Sequence, residues 1–437
     1  MSEVDRATPS APHIAGPLPS PANGIAIRLV TYLPVLIGPM AYLAPMGLTP
    51  LLALLALAVI AGSWHGARFV ERGTGRSFMR AGLVVWPLLI IGLLSATWSI
   101  SPAVSLGKTG QLAGLIVMGA LLVPAIAVTL PIDRTRLLSA TMIGFLVAAI
   151  LVLADLVFGG GLSAWARPVP EGTLAASYSR GAATHAIFAL PLFLGLWRHG
   201  RRRLALVSLV AALMPFGLEQ ASAQLALLVA IMTAVAVFAV PVLRWLLLGA
   251  QLAFVLAMPL ALPYDYTEHL CPLIESKASI VHRVVIWNFA HERWSERPIA
   301  GWGLATTRHV PGGDGYADFM TPCGREIAVL PDGRPNLPQV LPLHTHNAAV
   351  QIWLELGIFG ALALTWLIVV LSRRGYARAR DRASVAAVAS LSAAFFVVAV
   401  VSFGAWQSWW WAAMMLAAGV TSAALHASGG RPSADAR

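Results

Sequence analysis

Long apolar stretches alternate with short polar connections along most of this chain. The hydrocarbon core of a bilayer is crossed by about 20 apolar residues of helix, and twelve stretches reach or approach that length. They lie near residues 25–46, 47–64, 81–97, 107–130, 137–158, 182–197, 203–217, 221–241, 243–263, 346–371, 383–404 and 407–426. The pattern predicts an all-α polytopic membrane protein with about 12 transmembrane helices and a large helical loop between helices 9 and 10.

Composition agrees with the hydropathy pattern. The 437 residues are 58% hydrophobic and 11% charged, and their mean hydropathy is +0.75, whereas a soluble protein carries about a quarter charged residues. In a soluble protein the net charge of +11 would suggest a nucleic-acid partner. In a membrane protein the positions of the charges matter more, so the sequence predicts contact with the bilayer and none with nucleic acid.

Arginines lie in every second connection between the apolar stretches. If the N-terminus is cytoplasmic, the inner loops contain Arg68, Arg72, Arg76, Arg80, Arg134, Arg136, Arg198, Arg201, Arg202, Arg203, Arg244, Arg373, Arg374, Arg378, Arg380 and Arg382. The short outer loops contain almost none, which is the positive-inside pattern. It predicts a multi-pass membrane protein with both termini in the cytoplasm.

The same pattern sets the domain boundaries. Residues 1–24 are polar and rich in Pro, Ala and Ser, so they predict a disordered cytoplasmic tail and no cleavable signal peptide. Helices 1–9 occupy residues 25–263, a periplasmic loop domain 264–345, and helices 10–12 residues 346–426. Residues 427–437 form a second cytoplasmic tail.

Both cysteines of the chain, Cys271 and Cys323, fall in the predicted periplasmic loop. An even cysteine count in an oxidising compartment indicates a disulfide. The alternative is two unrelated small residues. A metal site is disfavoured because neither cysteine belongs to a C-x-x-C pair.

Polar residues open the tenth predicted helix, in the sequence HTHNAAVQIWLELG. On a helix, His344, Asn347, Gln351 and Glu355 share one face, and this stripe is expected to run from the outer surface to about the middle of the bilayer. Gln351 and Glu355 are interpreted as structural, with Glu355 either protonated or paired. Gly357 is expected to allow close helix packing.

His346 lies at the mouth of that helix, where water and substrate have access. A helix N-terminus disfavours additional positive charge, so its imidazole is expected to be neutral at pH 7. A neutral imidazole can act as a general base. A purely structural histidine is the alternative that the sequence leaves open.

Residues 279–304 predict an amphipathic helix on the outer face. Its apolar residues recur at helical spacing: Ile280, Val284, Trp287 and Ala290. Arg283 is the basic residue nearest its start. Arg293 and Arg297 are expected to pair with Glu292 and Glu296 on its solvated side.

Arg180 lies just outside the sixth predicted helix, beside Gly181, which is expected to let a ligand approach the backbone. Snorkelling to lipid headgroups is the alternative role for this arginine. Two outward arginines and one neutral histidine suit transfer from a phosphate-linked lipid donor to an alcohol, because arginine binds phosphate oxygens in a two-pronged manner. The chain has no D-x-D pair, Walker A loop or G-x-S-x-G motif.

Several of these segments resemble the bacterial O-antigen ligase and polymerase superfamily. LHTHNAAVQIWLELGIFGAL is similar to its H-N-x-x-x-Q-x-W-x-E-x-G-x-x-G signature, and HRVVIWNFAHERWSERPIAGWGLATTR to its R-x-x-x-W…P-x-x-G-x-G segment. SATWSISPAVS resembles its W-S-x-x-P turn, and YSRGAATHA its N-R-G segment, with Ser179 in place of Asn. A Ser-Arg pair common in the family is replaced by Ser-Ala in EQASAQLALL. The role of the missing arginine is therefore expected to fall more to Arg180.

The resemblance implies a GT-C-like, metal-independent inner-membrane glycosyltransferase that needs no cofactor. Its donor would be a polysaccharide on undecaprenyl pyrophosphate, and its acceptor the lipid A–core oligosaccharide. Arg180 and Arg283 would bind the leaving pyrophosphate, beside His344 and Trp287 as further substrate-binding residues. His346 would deprotonate the acceptor, while Asn347, Gln351 and Glu355 hold the helix in register.

Two rival functions stay open on the sequence. A repeat-unit polymerase shares the signature but uses a second lipid-linked glycan as acceptor. A transporter would also have about twelve helices, although many transporters contain repeats with broken helices in matching halves, and none is visible in this sequence.

Overall fold

The computed structural model describes residues 21–64, 75–130, 132–166, 174–218, 220–261, 270–330 and 333–425. In these ranges the chain is helical, apart from connecting segments and two isolated β-bridges. The helices are α1 Pro21–Tyr32, α2 Ile37–Leu43, α3 Leu48–Trp64, α4 Gly75–Ser95, α5 Pro102–Pro124, α6 Arg134–Val157, α7 Gly161–Ala166, α8 Leu174–Ser177, α9 Ser179–Arg198, α10 Arg202–Ala211, α11 Met214–Gly217, α12 Ala221–Ala239, α13 Leu243–Ala261, α14 Ile274–Glu296, α15 Ala348–Arg378, α16 Arg382–Val401 and α17 Ser408–Leu425.

The chain is a polytopic membrane protein. Among the described residues, eight helical stretches are long and apolar enough to cross a bilayer: Gly24–Leu43, Pro45–Gly62, Pro102–Ala127, Arg134–Val157, Ala221–Ala239, Leu243–Leu260, Ala348–Arg378 and Arg382–Val401. Each of the twelve predicted segments falls on helix, and the short seventh one divides into α10 and α11. The count of twelve crossings stays a prediction.

Both predicted tails fall mainly outside the described residues. The N-terminal tail was assigned to residues 1–24, but α1 already begins at Pro21. The C-terminal tail, residues 427–437, and the arginine-rich connection at residues 65–74 also lie outside the described ranges.

Helix α15 contains more residues than one crossing of the bilayer requires. Its 31 residues extend about 46 Å at 1.5 Å per residue, against a hydrocarbon core of about 30 Å. The predicted position of Glu355 at about the bilayer's middle stays a prediction.

Gly357 interrupts α15 because another segment enters there. Its φ of 58° and ψ of −150° are not helical, and only glycine adopts such a conformation at little cost. A Cβ at this position would lie 2.4 Å from the carbonyl oxygen of Ile299. The glycine thus admits the backbone of residues 298–299 rather than a neighbouring helix, which corrects the predicted role in helix packing.

The segment that enters is residues 298–305, hereafter the inserted segment. It makes backbone hydrogen bonds to α15 from Trp302 N–H to the Leu354 carbonyl (3.1 Å) and from Gly303 N–H to the Glu355 carbonyl (2.7 Å). On its other side, the Ile100 N–H donates to the Trp302 carbonyl (3.1 Å). The inserted segment is therefore fixed between α15 and the α4–α5 turn.

The connection between α13 and α15 carries α14 and the disulfide. Cys271 and Cys323 are bonded, with their Cα atoms 5.5 Å apart, so the predicted disulfide is confirmed. A small core of Ile274, Val281, Ala317 and Phe319 lies under it. The buried face of α14 differs from the predicted stripe, because Val281 and Ile286 are buried while Ile280 is 41% exposed.

We predict that the α13–α15 connection faces the periplasm and the α15–α16 turn the cytoplasm. The alternating arginines carry this expectation. Alkaline phosphatase, which requires disulfides from an oxidising compartment, should be active when fused near Val310 and inactive when fused near Tyr376. Activities in the opposite order would contradict the orientation.

Candidate functional site

The start of α15 is fixed by Asn347. Its Oδ1 accepts hydrogen bonds from the N–H groups of Ala349 (2.9 Å) and Val350 (3.3 Å), so Asn347 is the N-cap and the helix proper begins at Ala348. His344 therefore lies in the preceding loop and not on the helix, and the predicted four-residue stripe is wrong at this end.

His346 adopts a strained backbone conformation immediately before the cap. Its φ is +55°, a left-handed value that few non-glycine residues adopt, and such outliers occur preferentially at functional sites. The loop is held from the side by Trp287 of α14, whose Nε1 donates to the Thr345 carbonyl at 2.8 Å. This contact brings the turn of α14 that carries Arg283 against the histidine loop.

Hydrogen bonds assign the tautomers of the two histidines. His346 Nδ1 lies 2.9 Å from the Ser402 carbonyl oxygen, which can only accept, so Nδ1 carries the proton and Nε2 keeps a free lone pair. His344 Nδ1 instead accepts from the His346 N–H at 3.1 Å, which puts the His344 proton on Nε2. The pair therefore presents one acceptor, His346 Nε2, and one donor, His344 Nε2–H. The centroids of the two rings lie 4.2 Å apart.

Both histidines are neutral at physiological pH. Burial lowers the pKa of His344 to about 3, assisted by the charges of His346, Arg180, Arg283 and Arg308. Burial likewise lowers the pKa of His346, and the charges of Arg283 and His282 act in the same direction, against the hydrogen bond to Ser402. The predicted neutrality of His346 thus arises mainly from burial, and not from the helix N-terminus.

Arg180 lies at the start of α9, next to a tyrosine that a buried carboxylate binds. Asp155, which is fully buried, accepts hydrogen bonds from the Leu162 N–H (2.7 Å) and the Tyr178 hydroxyl (2.5 Å). Tyr178 directly precedes α9, so this contact fixes the turn that carries Arg180. The guanidinium carbon of Arg180 lies 5.8 Å from the centre of the Trp409 ring.

Gly181 does not open a path for a ligand. A Cβ there would lie 2.3 Å from atoms of the Tyr42 ring, so Tyr42 fills the space that the sequence interpretation gave to a substrate. Glycine is needed at this position for the packing of α2 against α9.

Glu355 is fully buried and connects three parts of the chain. Its Oε2 accepts from the Ala305 N–H (2.6 Å) and Trp406 Nε1 (2.5 Å). Its Oε1 accepts from the hydroxyl and N–H of Thr307 and from Gln351 Nε2 (3.0 Å). The ionised carboxylate only accepts hydrogen bonds, so this set of donors fits the ionised form.

The turn between α16 and α17, residues 402–407, contacts both histidines and Gln351. The Ala405 N–H donates to Gln351 Oε1 at 2.8 Å, and the Ser402 carbonyl orients His346. A Cβ on Gly404 would lie 2.9 Å from the Cβ of His344. Gln351 and Glu355 therefore hold the histidine loop and this turn together.

Arg308 is a site residue that the sequence interpretation missed. It directly follows Thr307, which Glu355 anchors, and its positive charge acts on His344 together with those of Arg180 and Arg283. The only signal in the sequence was its position at the end of the GWGLATTR stretch, where it was not distinguished from other basic residues.

Two other arginines of this region contact neighbouring side chains and not the histidine pair. Arg293 pairs with Glu296 at 2.7 Å, as predicted. Arg297 was expected to pair as well, but its guanidinium carbon lies 4.1 Å from the centre of the Trp302 ring, and no ion pair of Arg297 is found in the described ranges. Among the described residues, no cluster of three or more His, Cys, Asp or Glu could hold a metal ion.

We predict that Glu355→Gln destabilises the protein and lowers its activity. The amide NH₂ would face donors on either side of the pocket, and each unsatisfied donor costs about 1–3 kcal/mol. A protonated or purely structural Glu355, which the sequence interpretation allowed, would instead leave the variant active. Thermal unfolding in detergent should show a lower Tm, while Glu296→Gln, at the exposed ion pair, should leave Tm unchanged. An unchanged Tm for Glu355→Gln would contradict the ionised assignment.

The chain is a polytopic helical membrane protein with a candidate site in which the charges of three arginines act on a histidine pair. Residues 169–365 match the sequence model of the family described as O-antigen ligase. The resemblance to the O-antigen ligase family is confirmed over this stretch, which is a little under half of the chain.

Similar proteins are found among curated bacterial sequences. The chain is 32% identical over 140 residues to a protein of Rickettsia prowazekii named "Putative polysaccharide ligase", a match that covers 31% of this chain and 30% of the relative. It is 29% identical over 151 residues to one of Rickettsia typhi with the same designation, covering 34% of this chain and 32% of the relative. The chain thus spans about a third of the length of these relatives.

Proposed function

We propose that this protein is a glycosyltransferase that moves a polysaccharide from undecaprenyl pyrophosphate to the lipid A–core oligosaccharide, on the periplasmic face of the inner membrane. The observation that supports the proposal is His346, a partly accessible imidazole with Nε2 free, beside His344, on which the charges of Arg180, Arg283 and Arg308 act. The family description and the names of the relatives support a ligase over a polymerase.

His346 acts as the general base in this mechanism. Its Nε2 takes the proton of the acceptor hydroxyl while the hydroxyl oxygen attacks the anomeric carbon. The hydrogen bond from Nδ1–H to the Ser402 carbonyl fixes the ring and stabilises the imidazolium as it forms.

The arginines stabilise the leaving group. As the new C–O bond forms, the bond between the anomeric carbon and the pyrophosphate oxygen breaks, and its electron pair stays on that oxygen. Arg180 and Arg283 neutralise the pyrophosphate through hydrogen bonds from their guanidinium groups. Base and leaving group lie on opposite sides of the anomeric carbon, so the transfer inverts its configuration and needs no metal ion.

The acceptor is tested by the lipopolysaccharide of a deletion strain. A ligase predicts free lipid A–core with no attached glycan, which plasmid-borne wild-type protein restores. Chains of one repeat on lipid A–core would instead identify a repeat-unit polymerase, and an unchanged banding pattern would contradict both.

The pKa of His346 sets the pH dependence of the reaction. The neutral base is lost as pH falls through this pKa, which burial places below the ordinary histidine value of about 6.5. We therefore expect kcat/KM to be constant at neutral pH and to fall on an acidic limb with a midpoint below about 6.5. A midpoint above pH 7 in the purified protein would contradict a buried neutral base.

A further inference from the structure

The charge of the pyrophosphate changes during the proposed reaction, and this inference rests on that reaction. In the donor, each phosphorus carries one ionised oxygen, so the bridging pyrophosphate has two negative charges. Breaking the bond to the anomeric carbon leaves its electron pair on the leaving oxygen, which adds a third charge. The proton released by the acceptor resides on His346 and does not cancel it.

The site contains three guanidinium groups for this anion. The charges of Arg180, Arg283 and Arg308 all act on the His344 ring, whose Nε2–H is a further, neutral donor. Two of these arginines match the charge of the donor. The third positive charge is balanced only after the bond to the anomeric carbon breaks and the pyrophosphate gains its third negative charge.

The backbone of residues 304–307, just before Arg308, is fixed by hydrogen bonds to Glu355 and to two serines. Glu355 accepts from the N–H groups of Ala305 and Thr307, at 2.6 and 3.3 Å. Leu304 is bound by two serines, since its carbonyl accepts from Ser105 Oγ (2.8 Å) and its N–H donates to Ser95 Oγ (3.1 Å). Ala305 has a φ of +62°, so this path is held in a conformation that L-residues seldom adopt.

The side chain of Arg308, in contrast, is exposed. In the part of the chain that the structure describes, its guanidinium forms no ion pair with a carboxylate. A fixed backbone therefore presents an exposed guanidinium that has no carboxylate partner, and such a group can stabilise negative charge that develops beside it.

We propose that Arg308 is a catalytic residue that supplies the third positive charge for the leaving pyrophosphate, with Glu355 as the residue that positions it. Arg308 then binds the trianionic product more strongly than the dianionic donor. An interaction that is stronger in the transition state than in the ground state raises kcat rather than donor affinity.

The test compares the affinities of purified full-length protein for donor and product at pH 8, where the terminal phosphate is fully ionised because its second pKa is about 6. The product probe is undecaprenyl pyrophosphate itself, and the donor is measured without acceptor. For Arg308→Gln we expect product affinity and kcat to fall about tenfold or more, with donor affinity within about twofold of wild type. Arg308→Lys should recover part of both losses.

Arg325→Gln is the matched control, because Arg325 is half-buried in the same connection and its charge is not among those that act on the two histidines. It should leave both affinities unchanged. Equal losses of donor and product affinity in Arg308→Gln, or no loss of product affinity, would overturn the role of Arg308. Since both affinities are measured by direct binding, this outcome is distinct from an absence of glycan transfer by the wild-type protein, which would refute the proposed function instead.

Discussion

Replacing His346 with asparagine should reduce glycan transfer by about 10² to 10⁴-fold, the usual cost of removing a general base. Asparagine is the appropriate substitute because it tolerates the left-handed backbone at this position better than alanine does. Donor affinity should be nearly unchanged, because the imidazole is needed only when the acceptor loses its proton. The measurement is the rate of transfer to lipid A–core at matched protein concentration, together with donor binding.

The control for this variant is His309→Asn. His309 is exposed in the same connection and is not among the groups that act on His344 or His346. Its replacement should leave transfer unaffected. Full activity of His346→Asn would remove the base from the mechanism, and loss of donor binding would show that His346 has a structural role instead.

Changing Arg283 to lysine should lower kcat about 10²-fold even though the charge is kept. Lysine is a point charge and cannot reproduce the planar, two-pronged contact of a guanidinium with phosphate oxygens, and removing one preorganised donor typically costs about 10² to 10³ in rate. The measurement is kcat for glycan transfer to lipid A–core by the purified variant and by wild type.

Arg293→Lys provides the comparison for this second variant. Arg293 lies on the same helix but pairs with Glu296, and an exposed ion pair contributes little to stability. Its replacement should reduce transfer less than twofold or not at all. Similar effects of the two substitutions would mean that Arg283 does not contact the pyrophosphate.

The helices were predictable because the bilayer imposes their length and composition. The segment predicted at 221–241 is Ala221–Ala239, and that at 383–404 is Arg382–Val401. The interruption of α15 was not predictable in this way. It depends on the inserted segment, which comes from about 55 residues earlier in the chain and breaks the helix at Gly357.

The site was predictable as a set of residue types but not as a geometry. Periodicity could place Gln351 and Glu355 on one face, whereas the partners of Glu355 at Ala305, Thr307 and Trp406 come from distant parts of the chain. The carbonyl of Ser402, which fixes the tautomer of His346, belongs to a turn with no chemical motif of its own. Arg308 was missed for the same reason, since its importance arises from the fold around it.

The most direct test of the proposed mechanism is glycan transfer by the purified full-length protein in the presence of a chelator. The assay supplies polysaccharide on undecaprenyl pyrophosphate and lipid A–core, and it follows both glycosylated lipid A–core and released undecaprenyl pyrophosphate. We predict equal amounts of the two products at a rate that the chelator does not change. Transfer that stops with chelator and returns with Mg²⁺ would contradict charge neutralisation of the pyrophosphate by the arginines.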